Sequence, residues 1–190
     1  MTGRTHDLAA FAALLTICVI NPPEKISLAT AIVALGSNML GGLAPDVDQT
    51  SAEFWNKIRF GRLLSRYIAP LFGKHRYLSH SIVGVLLFGI LTKLLLGWLS
   101  GILLVDMNVV WWSFIIGFVS HLVMDSITKE GVPWFFPIPL RIGFPPVRIL
   151  RIKTGGFLEK AIIFPGLVAG IGWVVWDKYD LLRSILTSLK

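Results

Sequence analysis

Apolar residues gather along this chain into five long runs: about Leu8 to Ile20, Ile26 to Ala44, Ile82 to Val105, Val109 to Met124 and Phe157 to Trp176. Crossing ~30 Å of hydrocarbon takes roughly 20 helical residues, with about 17 as a lower limit. The second, third and fifth runs meet that length; the first and fourth need flanking residues or a locally thinner bilayer. The pattern therefore predicts an all-α integral membrane protein, a bundle of about five transmembrane helices, with four spans as the alternative count.

The polar stretches between the runs predict the connections. Pro22-Pro23 ends the first run and makes a tight hairpin, because proline cannot continue a helix and restricts the residue before it. The third run is long enough for Gly97 to Val105 to return along the interface before the Asp106-Met107-Asn108 turn. Pro45 to Ser81 carries Ala44-Pro45-Asp46-Val47-Asp48 at its start, an amphipathic helix around Phe54 to Tyr67, and the loop His75 to Ser81, with Ser79 placed to cap the next helix. Glu130 to Leu158 is rich in proline and aromatics, then alternates from Val147 to Lys153 as a short strand or hairpin does, closing on Thr154-Gly155-Gly156. A small loop and hairpin cap over one end of the bundle is thus expected, with an amphipathic tail from Asp177 to Lys190 on the membrane surface. Lys93, near the far end of its span, is expected to snorkel. All of 1–190 reads as a single membrane-embedded domain.

Composition agrees. Hydrophobic residues make up 54% and charged residues 15% of the chain, against about 25% charged in soluble domains. Cys18, the single cysteine, excludes an intrachain disulfide and a thiolate zinc site. One early positive side chain and no small-x-small site speak against a cleaved signal peptide. No basic block with interleaved aromatics supports nucleic-acid binding, despite a formal charge of +7.

Threading five alternating spans turns the charge into a topology signal. The side on which residue 1 starts receives 13 of the 18 basic residues, from Arg4 through Lys160, and the other side receives Lys25, Lys178, Arg183 and Lys190. The positive-inside rule makes the first side cytoplasmic. On that same side the threading collects His6, Asp46, Asp48, His75, His80, His121, Asp125 and Glu159, which includes every histidine of the chain. Independent surface residues would scatter over both sides, so a shared metal site is expected at the cytoplasmic rim.

With these residues placed, the chain resembles a bacterial and archaeal family of predicted membrane-bound metal-dependent hydrolases, also described as LexA-binding, inner-membrane-associated hydrolases. The resemblance rests on Arg4-Thr5-His6, Ala44 to Asp48, His75 to Ser81, His121 to Pro137 and Thr154 to Glu159. It implies metal-dependent hydrolysis in the inner membrane.

Neutral imidazoles beside carboxylates suit zinc or manganese, and the ligands on offer suffice for two ions. The expected ligands are His75, His80, His121, Asp46 and Asp125. Asp48 is read as a bridging ligand or general base, His6 as a further ligand or proton donor, and Arg76 as a bidentate phosphate clamp. Glu159 is either a ligand or an orienting group for Thr154 and the last helix. The first functional expectation is an enzyme cleaving an ester or phosphoester of a lipid at the headgroup level. The second is a scaffold with a structural metal; a transporter fits less well, since transport sites lie near the midplane.

Overall fold

The computed structural model describes residues 1–23, 25–56, 59–72 and 76–189. Five helices of 18 to 21 residues are long and apolar enough to cross a membrane: Gly3–Ile20, Leu28–Asp48, Ile82–Leu99, Met107–Ser126 and Glu159–Asp177. Among the described residues eight α-helices form. They are α1 (Gly3–Ile20), α2 (Leu28–Leu43), α3 (Glu53–Asn56), α4 (Gly61–Ile68), α5 (Ile82–Leu99), α6 (Met107–Ser126), α7 (Phe164–Asp177) and α8 (Tyr179–Ser188). A 3₁₀ turn over Ala44–Asp48 extends α2, and a π-helical turn over Glu159–Ile163 leads into α7.

The helix starts follow capping chemistry. Ser27 accepts the Thr30 N–H, Ser81 accepts the Gly84 N–H, and Asp106 accepts the N–H groups of Asn108 and Val109. The first and fourth spans reach crossing length because their caps lie well outside the apolar runs, at Thr2 and Asp106. Ser81, and not Ser79, caps α5, so His80 lies ahead of the helix instead of in its first turn.

Burial is inverted relative to a soluble protein. Large apolar side chains such as Leu94, Trp98, Ile32 and Trp173 face outward, while Thr5, Asn38, Ser113, Ser120, His121 and Asp125 are buried between helices. That is the arrangement lipid demands, because only internal partners can satisfy polar groups there. Lys93 lies over the Trp111 ring, 5.5 Å from its centroid, which shelters the ammonium part-way along its span.

The central pair is α2 against α6, with α1 across both and α5 against α6. The pair approaches through two glycines: a Cβ on Gly41 would lie 2.1 Å from the Phe114 carbonyl oxygen, and one on Gly117 2.0 Å from that of Asn38. Backbones this close let Asn38 Nδ2 donate to Ser113 O at 3.1 Å and Ser37 Oγ to Val110 O at 2.9 Å, the small-residue packing favoured in membranes.

The cap corrects the expected strand. Val147 to Lys153 holds a 3₁₀ turn at Arg148–Leu150, and no strand forms among the described residues. Pairing is reduced to two isolated bridges, Thr128 with Ile152 and Val132 with Ile142. The second is a one-pair hairpin with both N–H···O bonds at 2.9 Å. The single amphipathic helix expected around Phe54 to Tyr67 is two, α3 and α4.

Candidate metal centre

Four elements meet at the rim where residue 1 lies. Helix α1 supplies His6 from its first turns, the 3₁₀ turn after α2 supplies Asp46 and Asp48, the segment before α5 supplies Arg76, Ser79 and His80, and α6 supplies His121 and Asp125 from its last turns. His121 and Asp125 are four apart, so α6 presents both on one face.

His80 Nε2 lies 3.5 Å from Asp46 Oδ1 and 3.6 Å from Asp125 Oδ2, and His121 Nε2 lies 3.7 Å and 3.6 Å from the same two oxygens. Ligands 2.0–2.1 Å from a tetrahedral zinc ion are about 3.3–3.4 Å apart. The four His–Asp separations are thus near that spacing. Two overlapping triads share this space, Asp46–His80–His121 and His6–His121–Asp125.

Orphaned polar atoms test the fit. His121 Nδ1 meets the Gly42 carbonyl at 2.7 Å, which leaves Nε2 aimed inward; that atom and both ring nitrogens of His6 are buried and make no hydrogen bond among the described residues. Burying polar atoms without partners is costly, and a cation satisfies nitrogens and carboxylates together. His6 stacks on His121 at 3.7 Å between centroids, with its Nε2 3.3 Å from Asp125 Oδ1. With those two residues it makes up the second triad.

Burial alone would lower the pKa of His80, yet its hydrogen bonds to Asp125, Asp46 and Asp48 outweigh that and push it up to about 10 in the metal-free protein.

A second layer fixes these groups. Asp48 Oδ2 accepts the Arg76 N–H at 2.9 Å and the Ser79 hydroxyl at 2.6 Å, and faces His80 Nδ1 at 3.5 Å. Carboxylates behind ligating histidines fix tautomer and ring orientation in this way. Arg76 is buried with φ of 56°; Nη2 reaches Asp125 Oδ2 at 2.6 Å, and Nη1 reaches Glu130 Oε2 at 3.0 Å and Thr128 Oγ1 at 2.8 Å. The Met1 amino group contacts Asp125 Oδ1.

A family model described as YdjM inner membrane protein matches residues 1–182. The chain belongs to that family. Uncharacterized protein YvsG of Bacillus subtilis (strain 168) is 27% identical over 163 residues, covering 86% of this chain and 88% of the relative. Inner membrane protein YdjM of Escherichia coli (strain K12) and its namesake in Shigella flexneri are each 29% identical over 147 residues, 76% of this chain and 66% of theirs. No solved structure matches significantly. With its five candidate spans, the YdjM-family chain is a multi-pass inner membrane protein. The family description names a membrane and no reaction.

Of the site residues expected from sequence, the YdjM-family structure brings His6, Asp46, His80, His121 and Asp125 together. His75 lies outside the described residues. Three roles change. Asp46 and Asp48 bracket the His80 ring, one facing each nitrogen. Arg76 is buried, with its guanidinium on Asp125, Thr128 and Glu130. Glu159 Oε1 accepts from the Thr2 N–H and the hydroxyls of Thr2 and Thr5, and Oε2 accepts from the Gly155 N–H, all at 2.7–2.8 Å. Its oxygens tie α7 to the start of α1 and are spent as ligands. Ser79, Thr128, Glu130 and the Gly42 carbonyl were not foreseen. The only sequence signal for them was their closeness to HRYLSHS, HLVMD and APDVD.

Proposed function

We propose that this protein is a membrane-bound metal-dependent hydrolase acting on an ester or phosphoester of a lipid at the cytoplasmic headgroup level. The observation that carries the reading is the approach of His80 Nε2 and His121 Nε2 to Asp46 Oδ1 and Asp125 Oδ2 at 3.5–3.7 Å, with His6 in the neighbouring triad. When bound, a divalent ion such as zinc or manganese supplies Lewis acidity toward a carbonyl or phosphoryl oxygen and acidifies water. The chain's own residues do the rest. Asp48 and the Gly42 carbonyl hold His80 and His121 in orientation, and Arg76 offsets the charge of Asp125. His6, in the neighbouring triad, takes or gives a proton. Asp46, the ligand with 21% side-chain exposure where the others are buried, marks the open side.

Lipid is supported by an apolar cavity of about 500 Å³ between α1 and α7, lined by Leu15, Ile163, Leu167 and Ile171 and by Met124 and Ile127 on either side of Asp125. An acyl or isoprenoid chain fits those walls. The basic excess on this rim supports a cytoplasmic site.

A structural metal that knits the loops is the second reading, favoured by one observation: four protein donors are enough to close a tetrahedral shell. Metal analysis of purified variants, combined with product release from phospholipid and polyprenyl phosphate micelles supplied with zinc or manganese, decides between them. His80→Ala, His121→Ala and Asp125→Ala should each lower bound metal, while Lys93→Ala and Cys18→Ala should not. His6→Gln should keep the metal and lose roughly 10²–10⁴-fold in turnover, the usual cost of a missing acid or base. No metal-dependent product from any lipid, with metal retained, leaves the scaffold; full metal in His80→Ala/Asp125→Ala removes the site.

A further inference from the structure

A second polar hollow lies on the same rim and takes no part in the metal centre. Thr50, Ser51, Asn56, Arg62, Ser65 and Arg66 line a cavity of about 350 Å³ between the residues following the Ala44–Asp48 turn and helices α3 and α4. Among the described residues two guanidinium groups, three hydroxyls and one carboxamide face it, and no acid does. Arg62 Nε donates to Asn56 Oδ1 at 3.4 Å and Ser65 Oγ donates to the Arg62 carbonyl at 3.0 Å. Among the described residues no carboxylate pairs with Arg62 or Arg66. A donor-rich hollow with two uncompensated forks suits a phosphate group.

The helix carrying the arginines says where that phosphate comes from. At 100° per residue, Gly61 and Ser65 of α4 share the face that is buried, Arg62 and Arg66 lie along one flank, and Leu63, Leu64 and Tyr67 along the other. The apolar flank is bare: Leu63 is 55% and Tyr67 72% exposed, continued by Phe60 at 70% and Leu71 at 78%. No soluble surface has reason to present such a run. The helix also stands between the end of one span, at Asp48, and the start of the next, at Ile82, which puts it at the membrane interface. An interfacial helix buries its apolar flank among acyl chains and holds its cations at headgroup level.

We propose that this hollow binds the phosphate of an anionic membrane lipid, whose chains lie along Leu63, Tyr67 and Leu71. The site requires neither the metal nor hydrolysis, so it stands or falls apart from the functional reading above. Thr50 is two residues from Asp48, within about 7 Å along the backbone, so an occupied hollow braces the turn that carries Asp46.

The test uses the full chain in phosphatidylcholine nanodiscs containing a minor fraction of phosphatidic acid, with lipid retention read by native mass spectrometry and thermal midpoint read in parallel. Phosphatidic acid should be retained over phosphatidylcholine and should raise the midpoint. Arg62→Gln/Arg66→Gln should weaken retention about tenfold or more, the loss expected for two cations at a lipid surface. Both side chains are exposed, so the fold survives their replacement. Lys129→Gln/Lys153→Gln removes the same charge from the other large connection and should leave retention intact. Equal losses in the two double variants would mean a diffuse field and overturn the site, as would undiminished retention in the first. If inorganic phosphate in pure phosphatidylcholine discs raises the midpoint as far as the lipid does, the lipid assignment falls.

Discussion

His80 has an aspartate on each side of its ring, Asp46 toward Nε2 and Asp48 toward Nδ1, and this has a measurable consequence in solution. Its pKa near 10 in the metal-free fold lies above its ordinary 6.5. A group whose folded value is raised adds stability that is full below 6.5 and is lost as pH rises toward 10. A metal needs the same nitrogen without its proton, so zinc uptake should release a proton and tighten with rising pH through that window. Zinc titrations in two buffers of different ionisation enthalpy read the proton directly. Asp48→Asn should shrink the release by lowering the pKa of His80, and release unchanged between wild type and variant would dissociate His80 from the metal. The histidines and aspartates were visible in the sequence because their types are scarce in an apolar chain and the threading put them on one side. Their division into ligands and holders was not, because a 3₁₀ turn and a residue at positive φ decide which way Asp48 and Arg76 point.

Helix α6 delivers two of the site's donors and owes its position to contact with α2. The Gly41 and Gly117 close approaches bring the Gly42 carbonyl to His121, so helix packing and ligand orientation are one construction. Gly117→Ala forces a Cβ onto the Asn38 carbonyl and should cost ~1–3 kcal/mol, the usual range for overpacking, and it should lower zinc retention. Gly36→Ala, whose Cβ meets nothing within 4 Å, should be silent in both. Thermal unfolding in detergent with metal analysis checks the pair; a silent Gly117→Ala would detach the site from the packing. At this scale hydropathy revealed the spans, since lipid enforces long apolar helices. The alternation from Val147 to Lys153 misled because alternating side chains make a strand only when a neighbour offers a backbone ladder. Here the cap offers single bridges.

Taken whole, the molecule collects its buried charge at one rim, which the proposed orientation, argued from the positive-inside rule, turns toward the cytoplasm. A cysteine at Ser51 in a Cys18→Ala background should resist an impermeant thiol reagent in intact cells, whereas one at Asn108 should react; the opposite pattern would move the site to the other face and remove the case for a cytoplasmic lipid. One further consequence follows from how the last span is fastened. Helix α7 has α1 as its main partner, and the ties to Thr2, Thr5 and Gly155 all run through Glu159 at the start of the π-helical turn that leads into it. A rod pinned at one end swings widest at the other, so α7 is hung like a door whose hinge is that carboxylate. A swing about that hinge would widen the gap toward the surrounding bilayer while the hinge end stays shut, so the proposed lipid guest is expected to exchange sideways, with the membrane and not with water.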